Sequence, residues 1–403
     1  MRSISIFIED YRNNNEDEQK SVDIYADFMD ERDYHVFNEQ LNITTNNNAT
    51  AFIIKGIKHS KRIAIGKYYT LNVESIKEFY EVELIGDSYL YGFELSPRNG
   101  FIVPFEKLFT VQKQKESDYY GGAFIETLRG GQSLPIEIDH NIEVIVNNVG
   151  QGNWNEVKCN RETRIVFDMG APLHAKKNEV NNLVNRILPR YRNLSIKPVM
   201  ILSHWDKDHY HAMLELGNAD LSLFDCFIFP GNPPTATSKK ILNKINNCNI
   251  NVIIVRPVYR KRGMPSLPES IWVGPNYEIF IGQEHYDRNL SGIQIFLRSQ
   301  TANIILSGDC GWFQIIHILT KELASIQHRE VCNLVVPHHG SGKDKTYFGF
   351  TIPLNMDKGV AAISVDQRNN IYNHPSSSLI DYLDDYFTIV KRTDIFSDIT
   401  IQL

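Results

Sequence analysis

The densest chemical signal in the chain is the run Ser203-His204-Trp205-Asp206-Lys207-Asp208-His209. Four potential ligands, two imidazoles and two carboxylates, fall there within six residues. That mixture of nitrogen and hard oxygen donors suits a zinc, manganese or iron hydrolase site. A carboxylate at Asp208 beside an imidazole at His209 can aim at a different ion from His204 and Asp206, so the spacing permits two metals. Three weaker clusters follow. In Ser307-Gly308-Asp309 the aspartate could reach between two ions, although Gly-Asp alone is also a common turn. Pro337-His338-His339-Gly340-Ser341-Gly342 pairs two histidines in a glycine-bounded turn, one as ligand and the other as its support, with the choice left open. The last is Asp366 and then Tyr372-Asn373-His374-Pro375, where the proline holds His374 extended.

Each cluster directly follows an apolar run of strand length: 198–202, 303–306, 333–336 and 360–365. Two earlier runs, 142–146 and 163–167, are strand candidates as well. Val180, Leu183, Val184, Ile187 and Leu188 recur at helical spacing and predict an amphipathic helix over 178–190. Strand-like and helix-like runs thus alternate, which predicts an α/β layered domain over 136–403. The first 135 residues read differently. Short strand-like runs at 51–54, 62–65 and 79–84, with frequent Tyr and Phe, predict a small strand-rich domain. Residues 11–20 read as a solvated loop, and Gly130-Gly131-Gln132-Ser133-Leu134-Pro135 as the junction. The early histidines, His35 and His59, lack ligand spacing and read as ordinary residues.

Composition narrows the function classes. At 403 residues, 42% hydrophobic and 22% charged, the chain has ordinary globular chemistry rather than that of a disordered or fibrous one. A run of about 18 apolar residues is lacking, which excludes a transmembrane helix, and the N-terminus lacks a signal-peptide pattern. Five cysteines, odd in number and without a C-x-x-C pair, argue against a disulfide framework or thiolate zinc site and fit a reducing cytoplasm. The net charge of −6 disfavours a globally basic nucleic-acid binder but permits a local groove. The basic run Arg256-Pro257-Val258-Tyr259-Arg260-Lys261-Arg262 could form one: Arg256, Arg260 and Arg262 would grip phosphates and Tyr259 would stack on a base.

In this order the clusters resemble the metallo-β-lactamase fold superfamily from residue 142 onward, and within it the soluble C-terminal hydrolase domain of the DNA-uptake protein ComEC. Val149-Gly150-Gln151-Gly152-Asn153 stands where that family has V-G-Q-G-D, and Phe167-Asp168-Met169-Gly170 resembles its D-x-G turn. Ser203-His204-x-Asp206-x-Asp208-His209 resembles its form of the H-x-[HD]-x-D-H signature, and the Asp309, His338-His339 and His374 clusters complete the set. The resemblance implies an αββα sandwich, here preceded by the small β-rich domain, with a dinuclear site at the strand ends. It implies metal ligation by His204, Asp206, Asp208 and His209, with Asp309 bridging and one of His338 or His339, together with His374, completing the shell. Three departures stand out. Asn153 replaces an acidic residue beside the site, where it would meet substrate. Tyr210-His211-Ala212 replaces a Gly-Gly pair. Asp206 replaces a histidine found in many members, which favours harder ions such as Mn²⁺, with Zn²⁺ as the alternative.

The implied activity is phosphodiester hydrolysis by a nuclease acting on DNA or RNA. A hydroxide held by two divalent ions would attack phosphorus in line, Asp208 would be indispensable, and His374 or His211 would protonate the leaving oxygen. Two alternatives remain: a hydrolase of a small phosphodiester, such as a nucleotide messenger or a phosphocholine ester, and a regulatory protein that keeps the fold alone. Nucleic acid is the expected substrate, the N-terminal domain could recruit a partner protein, and no membrane contact is expected.

Overall fold

The structure, a computed structural model, describes residues 4–14, 21–44, 49–86, 90–111, 136–139, 141–257, 266–283, 285, 287–323, 331–342, 359–366 and 374–403. They fall into two units. The first comprises the described residues between 4 and 111 with the later segments 174–180 and 233–244; the second comprises the rest. The expected junction at 130–135 lies outside the described residues.

Alternating apolar residues build the first unit. Its strands are β1 (Ile4–Asn14), β2 (Ser21–Phe28), β3 (Ala51–Lys58), β4 (Lys67–Leu71), β5 (Tyr80–Leu84), β6 (Tyr91–Pro97), β7 (Val103–Pro104) and β8 (Phe109–Val111). They form one sheet in the order β5-β6-β3-β2-β1-β4-β8, with β7 added on β3. Ile4, Ile6 and Ile8 of β1 and Val22, Ile24, Ala26 and Phe28 of β2 share a face and one core, which is the period-two pattern of a strand. Helices α1 (Glu31–Leu41), α2 (Val73–Phe79) and α3 (Phe105–Leu108) add Tyr34 and Phe37, Val73 and Ile76, and Phe105 and Leu108 to that core. The segments 174–180 and 233–244 are fastened to this sheet. Thr237 Oγ1 lies 2.7 Å from Thr50 Oγ1, Lys239 Nζ donates to Met29 O at 2.9 Å, and the His174 ring sits 4.4 Å from that of Tyr25.

Two local expectations fail here. Residues 62–65 are a turn, closed by Ile63 N to Ser60 O at 3.1 Å, and the strand begins only after Gly66, whose φ of +75° suits glycine. Residues 11–14 are not loop: they extend β1, paired from Tyr11↔Ile24 to Asn14↔Ser21. Their polar side chains hid a strand whose hydrogen bonds come from the backbone.

The second unit is built on two seven-stranded sheets. The first takes β9 (Ile142–Val146), β10 (Asn155–Cys159), β11 (Glu162–Phe167), β12 (Val199–Ile201), β13 (Cys226–Pro230), β14 (Asn251–Val255) and, from the chain's last residues, β22 (Ile399–Gln402). The second takes β15 (Glu269–Val273), β16 (Tyr277–Ile281), β17 (Ile293–Arg298), β18 (Ala302–Leu306), β19 (Val331–Val335), β20 (Val360–Ile363) and β21 (Ile389–Arg392). Their orders are β14-β13-β12-β11-β10-β9-β22 and β15-β16-β17-β18-β19-β20-β21. Each sheet is antiparallel over its first three pairings, counted from β22 and from β15, and parallel over the last three. Inward residues of both, among them Val144, Ile165, Ile201, Ile228, Ile279, Ile295 and Leu306, form one core. The outer face of the second sheet packs on α8 (Trp312–Leu323) and α9 (Ser377–Tyr386) through Ile315, Ile318, Leu379 and Leu383; of the remaining helices, α4 (Lys177–Ile187), α5 (Lys207–Tyr210), α6 (Asn218–Leu221) and α7 (Ala236–Asn247) precede them in the chain and α10 (Thr393–Phe396) follows. The architecture is the mixed α/β sandwich expected, preceded by a β-rich N-terminal region. The helix expected over 178–190 is α4, continued by a 3₁₀ turn at Leu188–Tyr191 that begins where Pro189 cannot continue the α-helical ladder. Among the described residues, no helix is long and apolar enough to cross a membrane.

Candidate metal centre

The parallel strands β11, β12, β18 and β19 end in the loops that carry the polar clusters. The first loop turns at Asp168, whose φ of +63° redirects the chain after β11. Its carboxylate is fully buried and accepts from Ser203 N at 2.6 Å, from Ser203 Oγ at 2.9 Å and from His209 Nδ1 at 2.8 Å. Because a carboxylate only accepts, the His209 proton sits on Nδ1 and Nε2 is left facing the site. The next residues are packed so closely that a Cβ on Gly170 would lie 1.7 Å from Asp208 O. Asn153 braces the same crossing: its N–H donates to Asp208 O at 3.1 Å, its carbonyl accepts from Gly170 N at 2.7 Å, and its amide lies 3.4 Å from His209 Nδ1. It is buried rather than exposed to a substrate groove.

The second sheet supplies the facing groups. After β18, Asp309 places Oδ1 3.2 Å from His209 Nε2. After β19, His338, His339 and Gly340 take three successive left-handed conformations, with φ of +52°, +51° and +79°. This turn sends the two imidazoles to different carboxylates. His338 donates to Asp309 through Nδ1 at 2.6 Å and through its backbone N–H at 3.1 Å. His339 donates Nδ1–H to Ser364 O at 2.8 Å, which turns its Nε2 to within 3.1 Å of Asp208 Oδ2. His339 therefore faces Asp208, while His338, partly exposed, supports Asp309 from outside. His374 is buried with its ring 5.9 Å from that of His338.

Two groups of side chains offer ligand atoms within 4.8 Å of one another: His204, His209 and Asp309, and Asp208, His209 and His339. They share His209, so the two groups overlap. Asp206 lies outside both groups: Oδ2 is 3.3 Å from His204 Nε2, while Oδ1 is held 2.8 Å from Arg288 Nη2.

The electrostatics are those of a cation site. His204 Nε2 and His209 Nε2 are buried and have no hydrogen-bond partner among the described residues, although each faces a carboxylate. Burial alone would push the His209 imidazole down, but Asp309, Asp168 and Asp208 outweigh it and hold it well above its usual range. Burial pushes the Asp309 carboxyl up; His209 and His338 outweigh it and hold it well below. Asp208 is lowered in the same way, burial opposing and His209 and His339 prevailing, and Asp206 is lowered against burial by Arg288 and His204. Buried carboxylates this close together are costly without a cation among them, a place the His209 imidazolium fills when no metal ion does. Mixed imidazole and carboxylate donors fit zinc or manganese.

Other sequence candidates sit elsewhere. His211 is buried and donates Nδ1–H to Pro172 O at 3.0 Å, and burial, with Lys207, lowers its imidazole to about 4. Tyr210 is buried against Trp205, ring to ring at 5.7 Å, and so packs in the core. Arg256 is exposed just beyond β14; Tyr259, Arg260 and Arg262 lie outside the described residues. Two groups at the site escaped the sequence reading. Arg288 grips the Asp206 loop, and Asn289 Nδ2 lies 3.5 Å from His338 Nδ1. Their signal was available: Asp287-Arg288-Asn289 is another polar cluster, between strands β16 and β17.

No family model and no curated protein matches the chain. Among solved structures it is similar to Tm1679, a metal-dependent hydrolase of the β-lactamase superfamily, at 12% identity and a TM-score of 0.37, over 65% of this chain and 99% of that one. It is also similar to human tRNase Z, short form, at 10% identity and a TM-score of 0.34, over 62% of this chain and 91% of that one. The chemistry of the site therefore rests on its own geometry.

Proposed function

We propose that the chain is a metal-dependent phosphodiesterase, and specifically a nuclease acting on DNA or RNA, as its resemblance to the ComEC hydrolase domain implies. The observation that carries this reading is the pair of buried imidazole nitrogens, His204 Nε2 and His209 Nε2, facing carboxylates at the strand ends without a hydrogen-bond partner among the described residues. His204, Asp206, Asp208, His209, Asp309 and, of the histidine pair, His339 would hold two divalent ions, Mn²⁺ or Zn²⁺, with His338 supporting Asp309. When bound, such ions polarise a phosphoryl oxygen and make a water nucleophilic near neutral pH.

The chain's own residues do the rest. Asp168 and Ser364 O fix the His209 and His339 tautomers so that each ring presents Nε2. Asp208 and Asp309, held as carboxylates, keep negative charge at the centre. His211, lowered to about 4 by burial, is neutral near pH 7, so protonation of the leaving oxygen is assigned to His374. Arg256 would begin the phosphate-gripping run.

The test is a cleavage assay on purified protein with Mn²⁺, Zn²⁺ or Mg²⁺ and single- and double-stranded DNA and RNA, with Asp208→Ala alongside. Cleavage that disappears in the variant supports the nuclease. Bound metal without cleavage of any nucleic acid moves the substrate to a small phosphodiester. Absence of both metal and cleavage leaves the regulatory reading.

A further inference from the structure

Arg288 is built into the site with unusual care. It opens a 3₁₀ turn, Arg288–Ser291, whose first residues are capped by Asp287, its carboxylate accepting from Asn289 N at 3.1 Å. The turn is fastened from behind: Leu290 O accepts from Ser266 Oγ at 3.0 Å and from Gln314 Nε2 at 2.9 Å. It is also tied to the ligand loop itself, because Ile293 N donates to Ser203 O at 2.8 Å. From this base the guanidinium forks over two consecutive residues, donating through Nη1 to Trp205 O at 2.7 Å and through Nη2 to Asp206 Oδ1 at 2.8 Å. The side chain is only 12% exposed, so water screens it little.

We propose that Arg288 is a positioning residue that makes the two cation positions unequal: it holds one oxygen of Asp206 and so leaves the His204 end the weaker place for a divalent cation. This rests on the metal-dependent reading above and adds an order of loading to it. A charge-assisted bond to a guanidinium competes with an ion for the same carboxylate lone pairs. Asp206 keeps only Oδ2 on the His204 side, 3.3 Å from Nε2, and its position outside both ligand groups follows from that pull. A fixed positive charge so close to a divalent ion also repels it. At the other end Asp208 lies 3.1 Å from His339 Nε2 and 4.0 Å from His209 Nε2, both rings with Nδ1 tied to another acceptor and Nε2 turned to the carboxylate. The Asp208 end therefore loads first, and the His204 end second.

The experiment is a calorimetric titration of Mn²⁺ alone into the full-length metal-stripped protein, for wild type, Arg288→Gln and Asp206→Asn. Wild type is expected to show two binding steps separated by about tenfold or more in Kd. Arg288→Gln should tighten the weaker step by about tenfold and leave the tighter one within about twofold. Asp206→Asn should abolish the weaker step and spare the tighter, a result that does not depend on the arginine variant folding. Two equal steps in wild type, or a weaker step that Arg288→Gln leaves unchanged or loosens, would overturn the proposal while the metal reading stands. Loss of the tighter step in Asp206→Asn would overturn it as well. Failure of wild type and of Arg288→Gln to bind Mn²⁺ or Zn²⁺ at all would remove the metal reading and this proposal with it.

Discussion

Both units bury acidic side chains, yet among the described residues only one brings them to a point. In the first, Glu9, Asp10, Asp23 and Asp27 are buried along β1 and β2. Asp23, Tyr25 and Asp27 line the face of β2 opposite its apolar core residues, and Asp10 pairs across from Tyr25. Side chains on a strand stand parallel, and Asp23 and Asp27, four residues apart, are roughly 13 Å apart along it. They cannot share an ion; instead they surround phenols, and burial, followed by Glu9, Tyr25, Asp10 and Asp27, holds the Tyr91 hydroxyl well above its usual range as a proton donor. In the second unit the acids leave the strands. Left-handed turns at Asp168 and at His338 and His339 aim side chains from different strands at one volume. Buried charge marks a cation site when it sits where strands end, and a polar sheet face when it sits along them.

Four substitutions test that contrast, in order of expected effect. Asp208→Ala should lower cleavage by about 10²–10³-fold or more, read in the nuclease assay with metal in excess. Asp168→Asn should keep the fold but weaken metal affinity by about 10–100-fold, seen by equilibrium dialysis, because the His209 ring loses the acceptor that orients it. Asp398→Asn removes a carboxylate that accepts from Asn148 N, Arg186 and Arg190, and should lower unfolding free energy by about 1–3 kcal/mol at pH 7 with metal binding intact. Burial raises the Asp398 carboxyl, but those three donors outweigh it and hold it below its usual range. Its stabilisation is therefore present above the usual aspartate pKa and is lost as pH falls through the lowered one, so wild type and variant should converge in acid melts. Finally, Asp27→Asn in the first unit should leave bound metal per chain unchanged by elemental analysis; loss of an ion there would break the contrast.

The sequence made the strand-end clusters legible because each is local: a strand and its ligands are adjacent in the chain. It did not resolve what depends on pairing between distant segments. Which end His338 and His339 serve follows from Asp309 and Ser364 O, groups up to 29 residues away. The pull of Arg288 on Asp206 spans 82 positions, from 206 to 288, and no spacing rule reports it. The polar stretch 11–14 was misread because backbone pairing with β2, not side-chain alternation, makes it a strand. Asp168 was legible as a turn, but its role as the acceptor for His209 needed the 41-residue separation closed.

The placement of β22 bears on how the protein is made. Residues 399–402 pair with β9 at 142–146, and Asp398 beside them is held by Arg186 and Arg190. Until residues 399–402 leave the ribosome, β9 is an open edge of the sheet that carries Asp168 and His204, with unpaired backbone groups that invite pairing with another chain. During synthesis the ligand loops emerge well before their sheet can close. Nascent chains stalled short of residue 399 should therefore be more prone to aggregate and more easily cut by protease than chains in which 399–402 has emerged to pair with β9.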